Sequence, residues 1–266
     1  IMELARIADH IVCNSVIAVD TGALTGFLYV FQWREKIYEL YEQICGARLT
    51  TNIGRIGGFE RDFTPDVYRR LDEFHKDFPK ALKEFESMVM RNRIFMDRTI
   101  KTGPITAENA LSYGFTGPNL RAAGVDYDVR VMTPYSSYED FEFIIPIGTQ
   151  GDTYDRFCVR EEEMWQSLSI IRQALDKMPK TDEFFADVPE FYLPPKDAVY
   201  NTMEGLIWHF KIVMGEVNVP KGQVYHCVEG GNGELGFYLV SDGGRQPFRL
   251  LKRRNFYNSN DRSTKN

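Results

Sequence analysis

Residues 11–33 read IVCNSVIAVDTGALTGFLYVFQW and form the most apolar stretch of the chain. Apolar residues recur at helical spacing on both sides of Asp20, Thr21 and Gly22, where the pattern is interrupted. A charge in the middle of a bilayer is costly, so Asp20 argues against a membrane span. The stretch therefore predicts two buried helices joined by a short turn, and any membrane association would come through partners.

The flanking sequence extends both helices. The first is expected to begin near Leu4, and the second to run from about Leu24 to Cys45, where Gly46 suits a C-cap. Residues 50–58 are rich in glycine and β-branched residues, which favours a loop over a helix. Two long helices followed by a glycine-rich loop are thus predicted for the first quarter of the chain.

The middle of the chain mixes one long helix with short elements. Residues 64–89 carry an apolar stripe that begins at Thr64-Pro65, and Pro79 predicts a kink or a short break within it. Between residues 103 and 149 glycine and proline recur, with a short helix expected at 106–113 and a strand at 141–147.

The last third returns to longer elements. Helices are expected at 154–178 and 194–214, followed by a hairpin of residues 224–229 and 235–241 around a Gly-Gly-Asn-Gly turn. The patterns show neither an internal repeat nor a linker. The fold class predicted from the sequence is therefore α+β, mainly α, in one unit.

Charge and composition narrow the function classes. The 266 residues carry a formal net charge of −6, with 43% hydrophobic residues, which exceeds what a disordered chain contains. An acidic balance argues against nucleic-acid binding, because phosphate neutralisation requires a clustered basic surface. Residues 245–266 are the exception, with seven basic residues and one acidic residue.

The cysteine and histidine patterns do not indicate a metal centre. The four cysteines, Cys13, Cys45, Cys158 and Cys227, are far apart in the sequence and form no C-x-x-C motif. This spacing argues against a disulfide framework and against a zinc or iron–sulfur site. Unpaired cysteines are typical of proteins in the reducing cytosol. His10 is three residues from Cys13, but a core position is the more frequent role for such a histidine. A G-x-S-x-G hydrolase motif is also absent.

The sequence alone leaves the role of three polar features undecided. Asp20 lies among apolar residues. Its carboxylate either caps a helix or is the buried partner of a cation or a histidine. Arg55 lies among the glycines of residues 54–58, which permit close backbone approach to another surface. Residues 151–163 suggest an N-cap at Asp152 followed by charged residues on a solvated helix face.

The chain resembles one family over residues 1 to about 249. It is similar to the 49-kDa (D) subunit of proton-pumping NADH:quinone oxidoreductase, respiratory complex I. The matching runs are ELARIADH (3–10), VDTGALTGF (19–27), REKIYELYE (34–42), GARLTTNIGRIGG (46–58), NRIFMDRT (92–99), GPNLRAAGVDYDVR (117–130), GDTYDR (151–156), TMEGLIWHFK (202–211) and GELGFYLVSDGG (233–244). Their number and order make coincidence implausible.

The resemblance implies a fold and an organisation. It implies the helical core of the [NiFe]-hydrogenase large subunit, with a small α/β insertion and a C-terminal β-hairpin, but without the paired C-x-x-C motifs that hold the metal. Residues 1–250 would form one such domain lacking N- and C-terminal parts, and 251–266 a basic tail outside the family. The family's H-R-G-x-E-K signature and its quinone-contacting His and Tyr would precede residue 1, so we expect the sequence to be a fragment.

The resemblance also assigns site residues. Asp20 matches the family's aspartate that pairs with a histidine at the quinone headgroup, where the pair supplies protons. Arg55, Gly57 and Gly58 match the loop near the terminal iron–sulfur cluster. Thr50 stands where ubiquinone-using members carry a titrating histidine, which favours menaquinone as the substrate.

Partners and location follow from the same resemblance. The expected partners are the subunit with the terminal [4Fe–4S] cluster, the membrane-arm entry subunit and quinone, at the cytoplasmic face of the bacterial inner membrane. NAD, FMN and the clusters would be bound by other subunits, and no cofactor by this chain. The alternatives are a subunit of a hydrogenase-like or ferredoxin/F420-dependent membrane complex, or a non-catalytic assembly subunit.

Overall fold

The computed structural model describes residues 1–59, 61–178, 184–186, 188, 191–215, 219–244 and 246–253, and this part of the chain is mainly helical. Its α-helices are α1 (Met2–Asp20), α2 (Leu24–Cys45), α3 (Pro65–Phe85), α4 (Arg93–Thr99), α5 (Ala107–Ser112), α6 (Pro118–Ala122), α7 (Val129–Met132), α8 (Thr153–Lys177), α9 (Lys196–Asn201) and α10 (Met203–Val213). A π-helical turn at Glu86–Met90 follows α3, and a 3₁₀ turn lies at Tyr138–Asp140.

Two small antiparallel sheets accompany the helices. The first pairs β1 (Gly54–Arg55) with β2 (Gly58–Phe59). The second has the order β3 (Gly222–Gly230), β4 (Gly233–Ser241) and β5 (Arg249–Arg253). The predicted class, mainly α with some β, is confirmed at this level.

The helix pair that opens the chain has the predicted boundaries. α1 ends at Asp20, and Gly22 takes a φ of +95° in the turn before α2. α2 ends at Cys45, where Gly46 adopts the left-handed conformation at φ +76°. α1 packs against α2 and α8, and α2 against α3, so α1 lies at the centre of the bundle.

Apolar side chains of α1, α2, α3 and α8 form the core. Fully or nearly fully buried residues include Ile7, Ile11, Ile37, Leu82 and Phe157. On α2 and α3, the rings of Trp33, Phe74 and Phe78 pack together with centroids 4.9–6.1 Å apart. Burial of these large side chains is the main stabilising contribution to the bundle.

The helix boundaries differ from the prediction in two places. α3 continues through Pro79 to Phe85 without a break, and the irregular π-helical turn begins at Glu86. Residues 194–214 were expected to form one helix but form two, because Thr202 has extended dihedral angles and caps α10 by accepting a hydrogen bond from the Gly205 amide at 3.1 Å.

The strand predicted at residues 141–147 is not present. Side chains of α8 instead bind two amides and one carbonyl of this segment. The amides of Glu142 and Ile144 donate to the side-chain oxygens of Gln173 and Gln166 at 2.9 and 3.1 Å. The side-chain amide of Gln173 also donates a hydrogen bond to the Glu142 carbonyl at 2.7 Å. Because a helix supplies these partners, no neighbouring strand is needed.

The C-terminal hairpin gains a strand that the patterns did not predict. β5 pairs with β4 from Gly236–Arg253 to Val240–Arg249. Residues 251–253, which were expected to belong to a tail outside the family, have their backbone in this ladder. Residues 254–266 lie outside the described residues. No helix among the described residues has the length and apolar character that crossing a bilayer requires.

Candidate functional site

Asp20 is the last residue of α1, and its side chain is exposed. It is therefore not a buried partner of a cation, and it is not a cap, because α2 has Ala23 at its N-cap without a side-chain hydrogen bond. Val16, one turn earlier on the same face, is 43% exposed, so the apolar context did not imply burial.

Exposed apolar side chains lie near Asp20 in the sequence. Besides Val16, Leu24 and Leu28 at the start of α2 are 57% and 63% exposed. Arg98 of α4 donates from Nη1 to the carbonyl of Thr21 at 2.7 Å, which places a cation beside the turn. The end of the helix pair thus combines a carboxyl group, a guanidinium group and an apolar rim, a composition suited to an amphipathic ligand or a partner surface.

The glycine-rich loop forms the β1–β2 hairpin. The Phe59 amide donates to the Phe184 carbonyl at 2.9 Å, and the Ala186 amide donates to the Gly57 carbonyl at 2.8 Å. A Cβ atom on Gly58 would lie 2.3 Å from the Phe184 carbonyl oxygen. The close approach predicted for these glycines is therefore made to residues 184–186 of the same chain.

The two polar side chains that the sequence singled out in this loop are exposed. Thr50 and Arg55 are exposed, and Arg55 donates from Nη1 to the Asn52 carbonyl at 2.6 Å. Between Asp20 and this loop lies α2, whose 22 residues span about 33 Å. Among the described residues, no hydrogen bond or ion pair joins Asp20 to the hairpin. The predicted site residues thus form two separate surface features.

A buried ionic cluster is the main feature that the sequence patterns did not predict. Its charged members are less than 6% exposed, and they come from α1, α6, α7, α8 and the turn-proximal end of β3. We call the following residues the buried ionic cluster: Glu3, Arg6, His10, Arg121, Asp128, Arg130, Glu163 and Glu229. The charged run at 151–163 had been expected on a solvated face, yet Arg160, Glu161 and Glu163 are buried.

Glu163 of α8 occupies the centre of the buried ionic cluster. Arg121 donates to one carboxylate oxygen from Nε and Nη2 at 2.9 and 2.6 Å, and His10 Nε2 lies 2.7 Å from the other. Burial alone would raise the pKa of Glu163, but Arg121 and the His10 hydrogen bond hold it well below its usual range. Burial lowers the pKa of His10 despite Glu163.

A second carboxylate, Glu3, links α1 to α7 and α8. It accepts hydrogen bonds from Arg6, Arg130, Tyr138 and Ser167, the last at 2.6 Å. Burial would raise the pKa of Glu3, but Arg6 and Arg130 together with these hydrogen bonds lower it to about 2. Glu3 is thus held as a carboxylate within the bundle.

The end of the C-terminal hairpin closes the cluster. Arg6 donates to the carbonyls of Glu229 and Gly230 at 2.8 and 3.1 Å, and Arg121 donates to the Glu229 carboxylate at 3.0 Å. Gly117 and Gly233 meet so closely that a Cβ on Gly117 would lie 2.3 Å from the Gly233 Cα. These contacts fix the hairpin end against α1 and α6.

A separate buried carboxyl group lies two residues before Glu163 on α8. Glu161 accepts a hydrogen bond from Asn14 Nδ2 at 3.2 Å, while its Oε1 has no partner among the described residues. Burial, and to a lesser degree Glu86 and Glu162, raise the pKa of Glu161 to about 8 against the opposing effect of Asn14. This group therefore holds a proton at neutral pH.

One sequence signal could have found the buried groups. Glu3, Arg6, His10 and Asn14 recur every three or four residues on one face of α1, a polar stripe in a largely apolar helix.

The N-cap expected at Asp152 is confirmed, since its carboxylate accepts from the Asp155 amide at 2.9 Å. Within the described ranges, no group of three or more His, Cys, Asp or Glu side chains is arranged to hold a metal ion.

Comparison with known proteins identifies a family for most of the chain. Residues 20–262 match the family model of the respiratory-chain NADH dehydrogenase 49 Kd subunit, a range that includes most of the basic segment expected to lie outside the family. The chain is 71% identical over 254 residues to the D-type subunit of the NADH-quinone oxidoreductase of Flavobacterium johnsoniae, and 51% identical to that of Leptospira biflexa. Each alignment covers 96% of this chain and 62% of the relative.

Proposed function

Since the chain belongs to the family of the 49-kDa subunit of respiratory-chain NADH dehydrogenase, we propose that it contributes the quinone-reducing site of an NADH:quinone oxidoreductase. The family match over residues 20–262 is the observation that carries this proposal. Quinone takes up two electrons and two protons to become quinol. This chain's part is to orient the headgroup and to supply a proton, and a partner subunit's [4Fe–4S] cluster supplies the electrons.

Asp20 is the proposed proton donor. Its carboxyl group is exposed at the end of α1, and the apolar side chains of Val16, Leu24 and Leu28, which are near it in sequence, are exposed as well. An apolar rim suits the hydrophobic quinone, and a carboxyl group within hydrogen-bond reach of a quinone oxygen can act as a general acid. These features support the assignment that the family resemblance suggests.

The β1–β2 hairpin is the proposed surface toward the cluster-bearing subunit. Arg55 is exposed on it, and Gly57 and Gly58 hold it against residues 184–186. A fixed cation beside an iron–sulfur cluster stabilises the reduced cluster. The hairpin would thus favour electron arrival next to the quinone, while the NAD, FMN and cluster sites belong to other subunits and this chain binds no cofactor of its own.

Menaquinone is the proposed substrate because of Thr50. This exposed hydroxyl group cannot provide the proton-coupled positive charge of an imidazole near the cluster, so the cluster potential should be low enough for menaquinone. The test compares a short-chain naphthoquinone with the matching benzoquinone in the purified complex. A complex that reduces only the benzoquinone would contradict the proposal.

The proposed location is the cytoplasmic face of the bacterial inner membrane, bound to the membrane-arm entry subunit. The hydrogenase-like core, with residues 1–250 as one domain, belongs to the same proposal. The packing of α1 against α2 and α8, and of α2 against α3, supports a single helical unit.

The decisive experiment introduces the substitution Asp20→Asn into the assembled complex. We expect quinone reduction to fall about 100-fold, as for loss of a general acid, while NADH oxidation by an artificial acceptor is unchanged. Unchanged quinone reduction would favour a non-catalytic assembly subunit. A complex that accepts electrons from ferredoxin or F420 but not from NADH would favour the hydrogenase-like alternative.

A further inference from the structure

The turn that follows Asp20 is tied to a distant helix by one side chain. Arg98, 77 residues away in sequence, donates from Nη1 to the Thr21 carbonyl at 2.7 Å. The carbonyls just before this turn are satisfied locally, since the amides of Gly22 and Ala23 donate to Val19 and Ala18 at 2.8 Å. The Thr21 carbonyl is thus bound by a different element of the fold.

The helix that carries Arg98 is itself well fixed. Asn92 caps α4 by accepting a hydrogen bond from the Ile94 amide at 2.9 Å. Phe95 and Thr99 of α4 are buried, and Phe95 packs on Phe157 of α8 with ring centroids 4.8 Å apart. Arg98 therefore connects the turn after Asp20 to the core of the bundle.

The guanidinium group suits this place chemically. A cation near the C-terminal end of a helix interacts favourably with the helix dipole, and α1 has no basic residue in its own last turn. Arg98 is exposed, and its other N–H groups make no hydrogen bond to any residue that the structure describes. Its one directional contact within that part of the chain is the hydrogen bond to the residue after Asp20.

We propose that Arg98 is a positioning residue for Asp20. By holding the Thr21 carbonyl, it fixes the end of α1 and presents the Asp20 carboxyl group to the quinone headgroup in one orientation. This inference rests on the proposed role of Asp20 as the proton donor. Because proton transfer depends steeply on geometry, loss of Arg98 slows the chemical step more than it weakens quinone binding.

The test is a double-mutant cycle in the assembled complex. Rates are measured with a short-chain naphthoquinone and normalised to NADH oxidation by an artificial acceptor. Arg98→Gln is expected to lower kcat about fivefold with KM changed less than about twofold, and Arg98→Lys to restore kcat to within about twofold of the unmodified complex. The double variant with Asp20→Asn should be no slower than Asp20→Asn alone, because Arg98 acts through Asp20.

Arg93→Gln is the matched control, since Arg93 lies on the same helix, is exposed, and pairs only weakly with Asp97 at 3.7 Å. It should leave kcat and KM unchanged. The positioning role is overturned if Arg98→Gln leaves kcat unchanged, or if it slows the Asp20→Asn complex as much as the unmodified one. An Asp20→Asn complex with full activity would instead contradict the proposed function itself, whatever Arg98→Gln does.

Discussion

His10 Nε2 and a carboxylate oxygen of Glu163 lie 2.7 Å apart, and both side chains are completely buried between α1 and α8. Arg121 binds the other oxygen of Glu163, so one carboxylate joins two helices to α6. A buried charge is tolerated only when it is paired and hydrogen-bonded, and removal of one partner leaves the others uncompensated. The first prediction follows from this dependence.

Glu163→Gln should destabilise the chain by about 3–5 kcal/mol, because Arg121 and Arg6 lose their shared counter-charge inside the bundle. The measurement is the free energy of unfolding of the full chain in urea. Glu162→Gln is the matched control, since Glu162 is the adjacent but less buried residue. Equal unfolding free energies for the two variants would show that the buried ionic cluster contributes little.

Glu161 should give stability a measurable pH dependence. Burial, as the main cause, raises its pKa from 4.5 to about 8, so the folded chain keeps a proton that the unfolded chain releases. The stability that Glu161 contributes to the folded chain is present in full below pH 4.5 and is lost as the pH rises to about 8. The free energy of unfolding falls by up to about 1.4 kcal/mol per pH unit in this range.

Glu161→Gln removes the ionisable group and tests this directly. We expect the variant and the unmodified chain to unfold alike in urea at about pH 5, and the variant to be the more stable by a few kcal/mol at about pH 9. A variant that follows the unmodified chain across the whole range would contradict the raised pKa of Glu161.

Gly58→Ala should detach the β1–β2 hairpin from residues 184–186. The new methyl group would lie 2.3 Å from the Phe184 carbonyl oxygen, and φ is +142°, so we expect a local cost of about 1–3 kcal/mol. Hydrogen exchange at the Phe59 and Ala186 amides measures it. Gly54→Ala has no atom within 4 Å of its new Cβ and should leave both amides protected; faster exchange in that variant too would assign the effect to loss of glycine as such.

Asp152→Ala should cost about 1–2 kcal/mol by removing the N-cap of α8. Asp152 is 2% exposed, and its carboxylate also accepts a hydrogen bond from the Lys101 amide at 2.7 Å, so two backbone amides lose their partner. The unfolding midpoint in urea reports the loss. Asp152→Asn retains an acceptor oxygen and should recover most of the stability, whereas equal losses would indicate that the charge matters more than the hydrogen bonds.

Local signals predicted the elements whose causes are local. Gly46 ends α2 and Pro65 begins α3, as expected, because capping depends on a few adjacent residues. The strand expected at residues 141–147 is not formed. Their partners, Gln166 and Gln173, belong to α8, and no nearby residue indicates this.

Among the site residues, too, local features could be predicted from the sequence and contacts with distant residues could not. Glycines at 57 and 58 correctly indicated close backbone approach, but the partner segment lies more than 120 residues away in sequence. Charged residues on a helix have the same spacing whether they face solvent or other charges, so the run around Glu163 looked solvated. Its partners Arg121 and His10 become neighbours only through the packing of α6 and α1 on α8.

The contacts of Arg6 have a consequence for synthesis of the chain. Its carbonyl partners at Glu229 and Gly230 leave the ribosome more than 220 residues after it. Helices α1, α6 and α8 can pack earlier, but during that time the Arg6 and Arg121 side chains lack the hairpin end and must remain hydrated. Closure of long-range contacts is slow compared with helix formation. Emergence of residue 230 from the ribosome is therefore the point at which the bundle can exclude water from its charged interior, and nascent chains that have not reached it should depend most on chaperones.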